Sequence, residues 1–217
     1  CQIQNQSLVS DNQVAYFWSP EQRRLSLNGD TTARISEIAN LIPIVTISPD
    51  THFDFKASGR SRRGVIDWIL FHVEHDFYDL WKRYQRVLLQ RNTALREKCT
   101  NQTIFIWDEE LSALGEAVHE KRNKLFDEIN PIFKEKCSKI LAGPGNCSLE
   151  IKPGWNNSGR LLDCLKRNRE KDSIRGFTHC GPHRGDLQIL IDNSAGEEIA
   201  SHGQYKMLII ALRLAQV

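Results

Sequence analysis

No apolar run in this 217-residue chain approaches the roughly 18 residues that a membrane span requires, and no charged segment followed by an apolar core opens it. The sequence thus predicts neither a membrane helix nor a secretory leader. Strong charge of either sign is also missing. With a formal net charge of +2, a basic surface has to come from local clustering and not from the whole-chain sum. The six cysteines, Cys1, Cys99, Cys137, Cys147, Cys164 and Cys180, show no C-x-x-C spacing. Free thiols in a reducing compartment, the cytoplasm, are therefore expected. No G-x-x-x-x-G-K-[ST] phosphate loop occurs, no apolar strand ending in paired acids follows the last helix, and no serine, cysteine or carboxylate constellation makes a catalytic set. At 40% hydrophobic and 26% charged, what remains is enough for one large or two small domains with a real core.

Val14 to Trp18 and Arg23 to Leu27 read as a hairpin around Ser19–Gln22, with Asn28-Gly29 as a second turn. A helix is expected from about Thr31, with Ile35, Ile38, Leu41 and Ile42 on one face and Pro43 as its stop. Ile44 to Ile47 reads as a covered strand. Ser48 to Gly64 then reads as a polar loop carrying the basic cluster Arg60, Arg62 and Arg63. From Ile66 through Val73, Phe77, Trp81, Tyr84 and Leu88 to Leu95, apolar residues keep helical steps, which predicts one long amphipathic helix. A second pattern runs from Trp107 to Leu141, bent at Pro131, and should return antiparallel. After Gly143–Asn146, a strand at Ser148–Ile151, a helix at Arg160–Ile174 and a strand at Asp186–Ile191 restore sheet material. The expected class is α/β, divided as 1–64 (partial head), 65–142 (helical hairpin) and 143–217 (return to the head). The first residue, Cys1, and the apolar helix running out at Val217 read as truncated ends.

Ser201, His202, Gly203 and Gln204 lead directly into the apolar run Met207–Val217. A serine-capped helix start with a glycine in its first turn offers backbone N–H groups, the positive dipole end and a hydroxyl to a phosphate oxygen; it equally describes a helix that only caps itself. Arg62-Arg63 reads either as a solvated charge cluster or as a bidentate phosphate clamp. Gly181-Pro182-His183-Arg184 reads as a rigid turn that aims a histidine and an arginine into a cleft. His179, Cys180 and His183 match no strong metal spacing.

Four ordered blocks resemble the RecF family of bacterial recombination and repair proteins: Asp67–Glu74; Trp81–Arg96; Gly176–Thr178 with Gly181–Arg184; and Ser201, Gly203, Gln204 and Lys206 with Ala211–Gln216. The resemblance implies an ABC/SMC-like ATPase head, here partial, with an inserted antiparallel long-helix lever arm. It implies that Ser201, His202, Gly203 and Gln204 are the signature motif, contacting ATP, with Mg²⁺, in trans across a homodimer. It further implies gapped, single- or double-stranded DNA as a partner, RecR-, RecO- and RecA-type repair proteins as others, and roles in recombination, replication and the SOS response. Arg62, Arg63 and Arg184 become candidate DNA contacts. His202 stands where the family often has arginine, and Tyr205 where glutamine is frequent. The family's phosphate loop would precede Cys1 and its Walker B strand would follow Val217, so the chain alone is expected to be an inactive ATPase that binds nucleotide weakly.

Two other readings compete. One is a non-enzymatic helical-hairpin scaffold that binds a protein partner. The other is a metal-dependent nuclease built on His179, Cys180 and His183.

Overall fold

The computed structural model describes residues 3–9, 12–19, 21, 23–31, 38–39, 43–48, 51–141, 145–156 and 159–216. The chain divides into two compact units, 1–46 and 47–217.

In the first unit, strands β1 (Ile3–Val9), β2 (Asn12–Trp18) and β3 (Arg23–Leu27) form an antiparallel sheet in that order. The β2–β3 hairpin is the expected one, with Val14 opposite Leu27 and Trp18 opposite Arg23. Asn28 (φ 53°) and Gly29 (φ 83°) supply the left-handed turn that brings Leu27 back to Asp30. The Asn28 side chain also accepts from the Gln13 amide at 2.8 Å, which anchors the turn to β2. β1 was not expected, because Gln4, Asn5, Gln6 and Ser7 hide the alternation. Of the helix expected after Thr31, Ile38 and Ala39 are helical, while Ile35, Leu41 and Ile42 lie outside the described residues. Residues 43–48 form no strand and leave Ile44 and Ile47 exposed. The run crosses from one unit to the other and has no ladder partner among the described residues, so β-branched side chains alone do not make it a strand.

The second unit starts with two helices where a loop was expected: α1 (Thr51–Ala57) and α2 (Gly59–Val73). Ser58 explains α2, since its Oγ accepts the Ser61 amide at 3.2 Å and caps a helix whose second residue is Arg60. The expected single long helix is also two: α2 ends at Val73 and α3 runs Phe77–Arg96. The step from Val73 to Phe77 preserves helical spacing, which conceals the break. Val73 is exposed and Phe77 buried, and Glu74 is extended. Lys121 holds the corner, with Nζ 2.7 Å from Glu74 and 2.9 Å from Asp76.

Lys121 belongs to α4 (Asn101–Ile140), a 40-residue helix about 60 Å long at 1.5 Å per residue. Its contacts with α3 run in opposite order along the two chains: Arg91 meets Asp108, whereas Trp81 meets Arg122. The hairpin is therefore antiparallel, as expected. Pro131 lies inside α4 without ending it.

Strands β4 (Cys147–Lys152), β5 (Asp186–Ile191) and the short β6 (Ser194–Ala195) form a second antiparallel sheet. Between β4 and β5 comes α5 (Leu161–Arg175), ended by Gly176 in the left-handed region, followed by a 3₁₀ turn at Pro182–Arg184. A short helix α6 (Gly196–Ile199) and then α7 (His202–Leu214) complete the unit. One apolar cluster unites these parts, with Ile66 and Leu70 from α2, Tyr84 and Leu88 from α3, Leu111, Val118 and Phe133 from α4, Leu187 and Ile189 from β5, and Leu208 and Leu212 from α7. The Asn130 side chain accepts the Leu149 amide at 3.0 Å and so binds α4 to β4 through a polar contact.

Candidate functional site

The first turn of α7 is closed by a reciprocal capping box. Ser201 Oγ accepts the Gln204 amide at 3.3 Å, and Gln204 Oε1 accepts the Ser201 amide at 2.9 Å. Both of those amides are thereby used, leaving the His202 and Gly203 amides as the helix donors directed at solvent. Ser201 to Gln204 are all exposed, and a Cβ at Gly203 would meet nothing within 4 Å. The rest of the helix is anchored: Tyr205, Leu208, Ile209, Ala211 and Leu212 are buried. The His202 ring stands edge-on to buried His52, centroids 4.6 Å apart, with exposed Phe53 beside them. A rigid helix thus presents an open N-terminal turn.

The three candidate arginines converge on one loop although Arg62 and Arg184 are far apart in sequence. Arg62 forks onto Asp186, Nε to Oδ1 at 2.7 Å and Nη2 to Oδ2 at 2.8 Å, and its Nη1 donates to the Phe55 carbonyl at 3.2 Å. Every nitrogen of its guanidinium therefore has an acceptor within the chain. Arg63 donates to the Gly185 carbonyl, and burial together with the nearby Arg122 guanidinium lowers its pKa from the usual value. Arg184 is exposed and lies over the Phe177 ring at 5.2 Å. The backbone is tightly packed here: a Cβ at Gly154 would come within 2.2 Å of the Gly181 carbonyl, and Gly154 (φ +93°) and Gly181 (φ +134°) both need glycine.

Behind the loop lies a polar network that spacing alone did not reveal. Tyr84 and His183 Nδ1 are hydrogen-bonded at 2.5 Å, and His183 Nε2 meets the Thr178 carbonyl at 3.2 Å. Donation to that carbonyl leaves Nδ1 to accept from the Tyr84 hydroxyl. Burial pushes the His183 pKa down to about 4, so the ring is neutral at pH 7. Arg91, wholly buried, donates to Asp108 at 2.7 Å and to both Asp172 and Thr178 at 2.8 Å. Arg169 adds a second contact to Asp108 at 2.6 Å. This network ties α3, α4 and α5 to the Thr178–Arg184 loop. An apolar-period reading places Arg91 on a solvated face; only the crossing of three helices buries it.

His179, Cys180 and His183 have separate partners. His179 Nδ1 pairs with Asp172 at 2.6 Å, His183 with Tyr84, and the buried Cys180 thiol is held protonated by desolvation.

A groove between α2 and α3, about 610 Å³, is lined by Arg60, Arg63, Gly64, Asp67, Trp81, Gln85, Leu88 and His183. Asp67 is already paired with Arg122 at two points, 2.8 and 2.9 Å.

No protein-family profile matches the chain. It is 34% identical over 198 residues to the DNA replication and repair protein RecF of Acinetobacter baumannii, an alignment covering 90% of this chain and 55% of that protein. The RecF proteins of Pseudoalteromonas translucida and Coxiella burnetii are each 34% identical as well, over 197 and 194 residues, 54% of each relative. The chain spans about half the length of these curated relatives. Among solved structures, the recombination mediator protein RecF with ATP, from the RecFOR pathway, superposes with a TM-score of 0.81 over 98% of this chain and 61% of its own, at 20% identity. A second structure, RecF-ATPrS in the same pathway, gives 0.77 over 98% of this chain and 60% of its own. The fold is that of these RecF structures, in part, with a long-helix hairpin.

Proposed function

We propose that this chain, RecF-like in sequence over nine-tenths of its length and in fold, supplies the signature half of an ATP-dependent DNA clamp in recombinational repair. Ser201, His202, Gly203 and Gln204 contact the γ-phosphate of ATP, with its Mg²⁺, held by the phosphate loop of a second subunit. The observation that carries this reading is the open first turn of α7. The capping box orients the Ser201 hydroxyl and leaves the His202 and Gly203 amides outward on a helix whose next turns are buried. An anion there gains the dipole and two donors at no cost in rearrangement.

ATP then holds the dimer closed, and loss of the γ-phosphate weakens the closed state selectively. Helices within 65–142 act as the lever arm between head segments 1–64 and 143–217. The reading further places the protein in the cytoplasm, on gapped, single- or double-stranded DNA, with RecR-, RecO- and RecA-type proteins as partners. No helix among the described residues is long and apolar enough to cross a membrane.

Ser201→Arg in the full-length RecF-type protein that contains this chain tests the assignment. Light scattering with ATP should report dimers for the parent and monomers for the variant, with unchanged circular dichroism. Dimers of the variant in ATP would overturn it.

A further inference from the structure

We propose that the α2–α3 groove is the seat of a single-stranded DNA segment, with Arg60 and Arg63 gripping its backbone phosphate, Trp81 and Gln85 meeting the adjoining base, and His183 forming the wall beyond. This rests on the DNA-binding reading above and relocates the contact within the basic cluster. Arg62 is withdrawn from it, because its fork is consumed by Asp186 and the Phe55 carbonyl.

The electrostatics of α2 point to an anion. Three arginines, Arg60, Arg62 and Arg63, stand near the positive end of a helix whose first turn holds no acidic residue. Cations are disfavoured at that end. Asp186 offsets the charge of Arg62, the Gly185 carbonyl accepts from Arg63 without cancelling its charge, and the exposed Arg60 side chain has no ion pair or hydrogen bond among the described residues. The carboxylate in the groove, Asp67, favours the Arg63 charge through space but is itself forked by Arg122, so with Arg122 counted the charges of Arg60 and Arg63 remain in excess. The groove therefore has an excess of positive charge that a phosphodiester would neutralise.

Its shape and walls point to a single strand. A groove of about 610 Å³ between α2 and α3 is large enough for one nucleotide. Trp81, with the Arg122 guanidinium over one side of its ring at 5.3 Å and Tyr84 stacked at 5.4 Å, is partly exposed and gives the groove its remaining aromatic surface, of the kind that favours unstacked bases of any sequence. Gln85, exposed and uncharged, adds a donor and an acceptor. Gly64 marks the opening: a Cβ there meets nothing within 4 Å, so the helix carries a gap exactly beside the two arginines.

That gap permits a test that leaves the core alone. Fluorescence anisotropy of a labelled thymidine oligonucleotide of about 20 nucleotides would be followed with this chain, at several salt concentrations. Gly64→Ala should bind as the parent does. Gly64→Glu and Arg60→Glu should each weaken binding about tenfold, and Arg60→Glu should lower the salt slope by about 0.7, one single-strand phosphate. Ala113→Glu, the same charge change as Gly64→Glu but on an exposed face of α4, should alter affinity less than about twofold at matched salt. If the parent binds the oligonucleotide but Gly64→Glu behaves like Ala113→Glu, the groove is not the seat, although the DNA-binding reading survives. A parent that binds no oligonucleotide at low salt overturns both. Equal losses on a blunt duplex overturn the single-strand assignment.

Discussion

Arg62 and Asp186, 124 positions apart, are joined at two points, 2.7 and 2.8 Å, and this pair fastens the first turn of α2 to the start of β5. Both side chains are mostly buried, at 17% and 20% exposure, so solvent screens the contact only in part. Asp186→Ala should lower stability by about 1–3 kcal/mol, read as a shift in the urea midpoint. Because the partners share one interaction, Arg62→Ala combined with Asp186→Ala should cost less than the two single changes added together. Strict additivity would show that the pair carries no coupling.

The Arg91 network should respond more severely. Arg91, Asp108 and Asp172 are each wholly buried, so Arg91→Ala leaves two carboxylates facing each other's desolvation with only Arg169 and His179 to offset them. A loss of about 3–5 kcal/mol is expected, enough to abolish the cooperative transition near 37 °C in a marginal domain. Arg91→Met with Asp108→Leu should recover part of it. Near-native stability of Arg91→Ala in thermal melts would contradict the assignment of Arg91 as the compensating charge.

His183 predicts an acid-sensitive window. Its folded pKa, about 4, lies below the unfolded value of 6.5, so the unfolded state binds the additional proton between these limits. The neutral ring's contribution is fully present above pH 6.5 and is lost as pH falls through 4, on the order of 3 kcal/mol in all. His183→Gln should be less stable than the parent at pH 7 but should show a shallower decline between pH 6.5 and 4. Parallel urea-midpoint curves for the two proteins would refute the neutral-histidine assignment.

Glycine to alanine should have opposite signs at two helical positions. At Gly64 the new Cβ meets open space, and helix propensity favours alanine by about 0.8–1.0 kcal/mol. At Gly115, in the middle of α4, it would come within 2.5 Å of Leu161 Cδ2 and 3.2 Å of both Pro182 Cδ and the Tyr84 ring. Overpacking there should outweigh propensity and destabilise by about 1–3 kcal/mol. Differential scanning calorimetry of the two variants distinguishes the sites, and a stabilised Gly115→Ala would show that α4 does not approach Leu161 so closely.

Much of this structure was legible in one dimension because the signals are local. The β2–β3 hairpin follows from a turn dipeptide between alternating strands, α5 from periodicity closed by Gly176, and the α7 cap from Ser201 and Gln204 three residues apart. Other features left no such trace. The break between α2 and α3 is invisible because Val73 and Phe77 keep helical spacing; the corner is held by Lys121, 45 residues beyond Asp76. The loop expected over 48–64 is mostly helix because Ser58, an ordinary turn former in sequence, serves as a cap.

The sequence by itself determined that two long amphipathic stretches return antiparallel, where β4 and β5 lie, and that an anion-suited helix start precedes an apolar run. Each of these depends on residues within a turn or two of one another. Tertiary structure alone decided which cations are available. Arg62 and Arg63 are adjacent and chemically equivalent in sequence, yet one is locked to a carboxylate 124 residues away and the other borders an open groove with Arg60. The physical reason is that the availability of a charge depends on its neighbours in space, and chain proximity does not encode those neighbours.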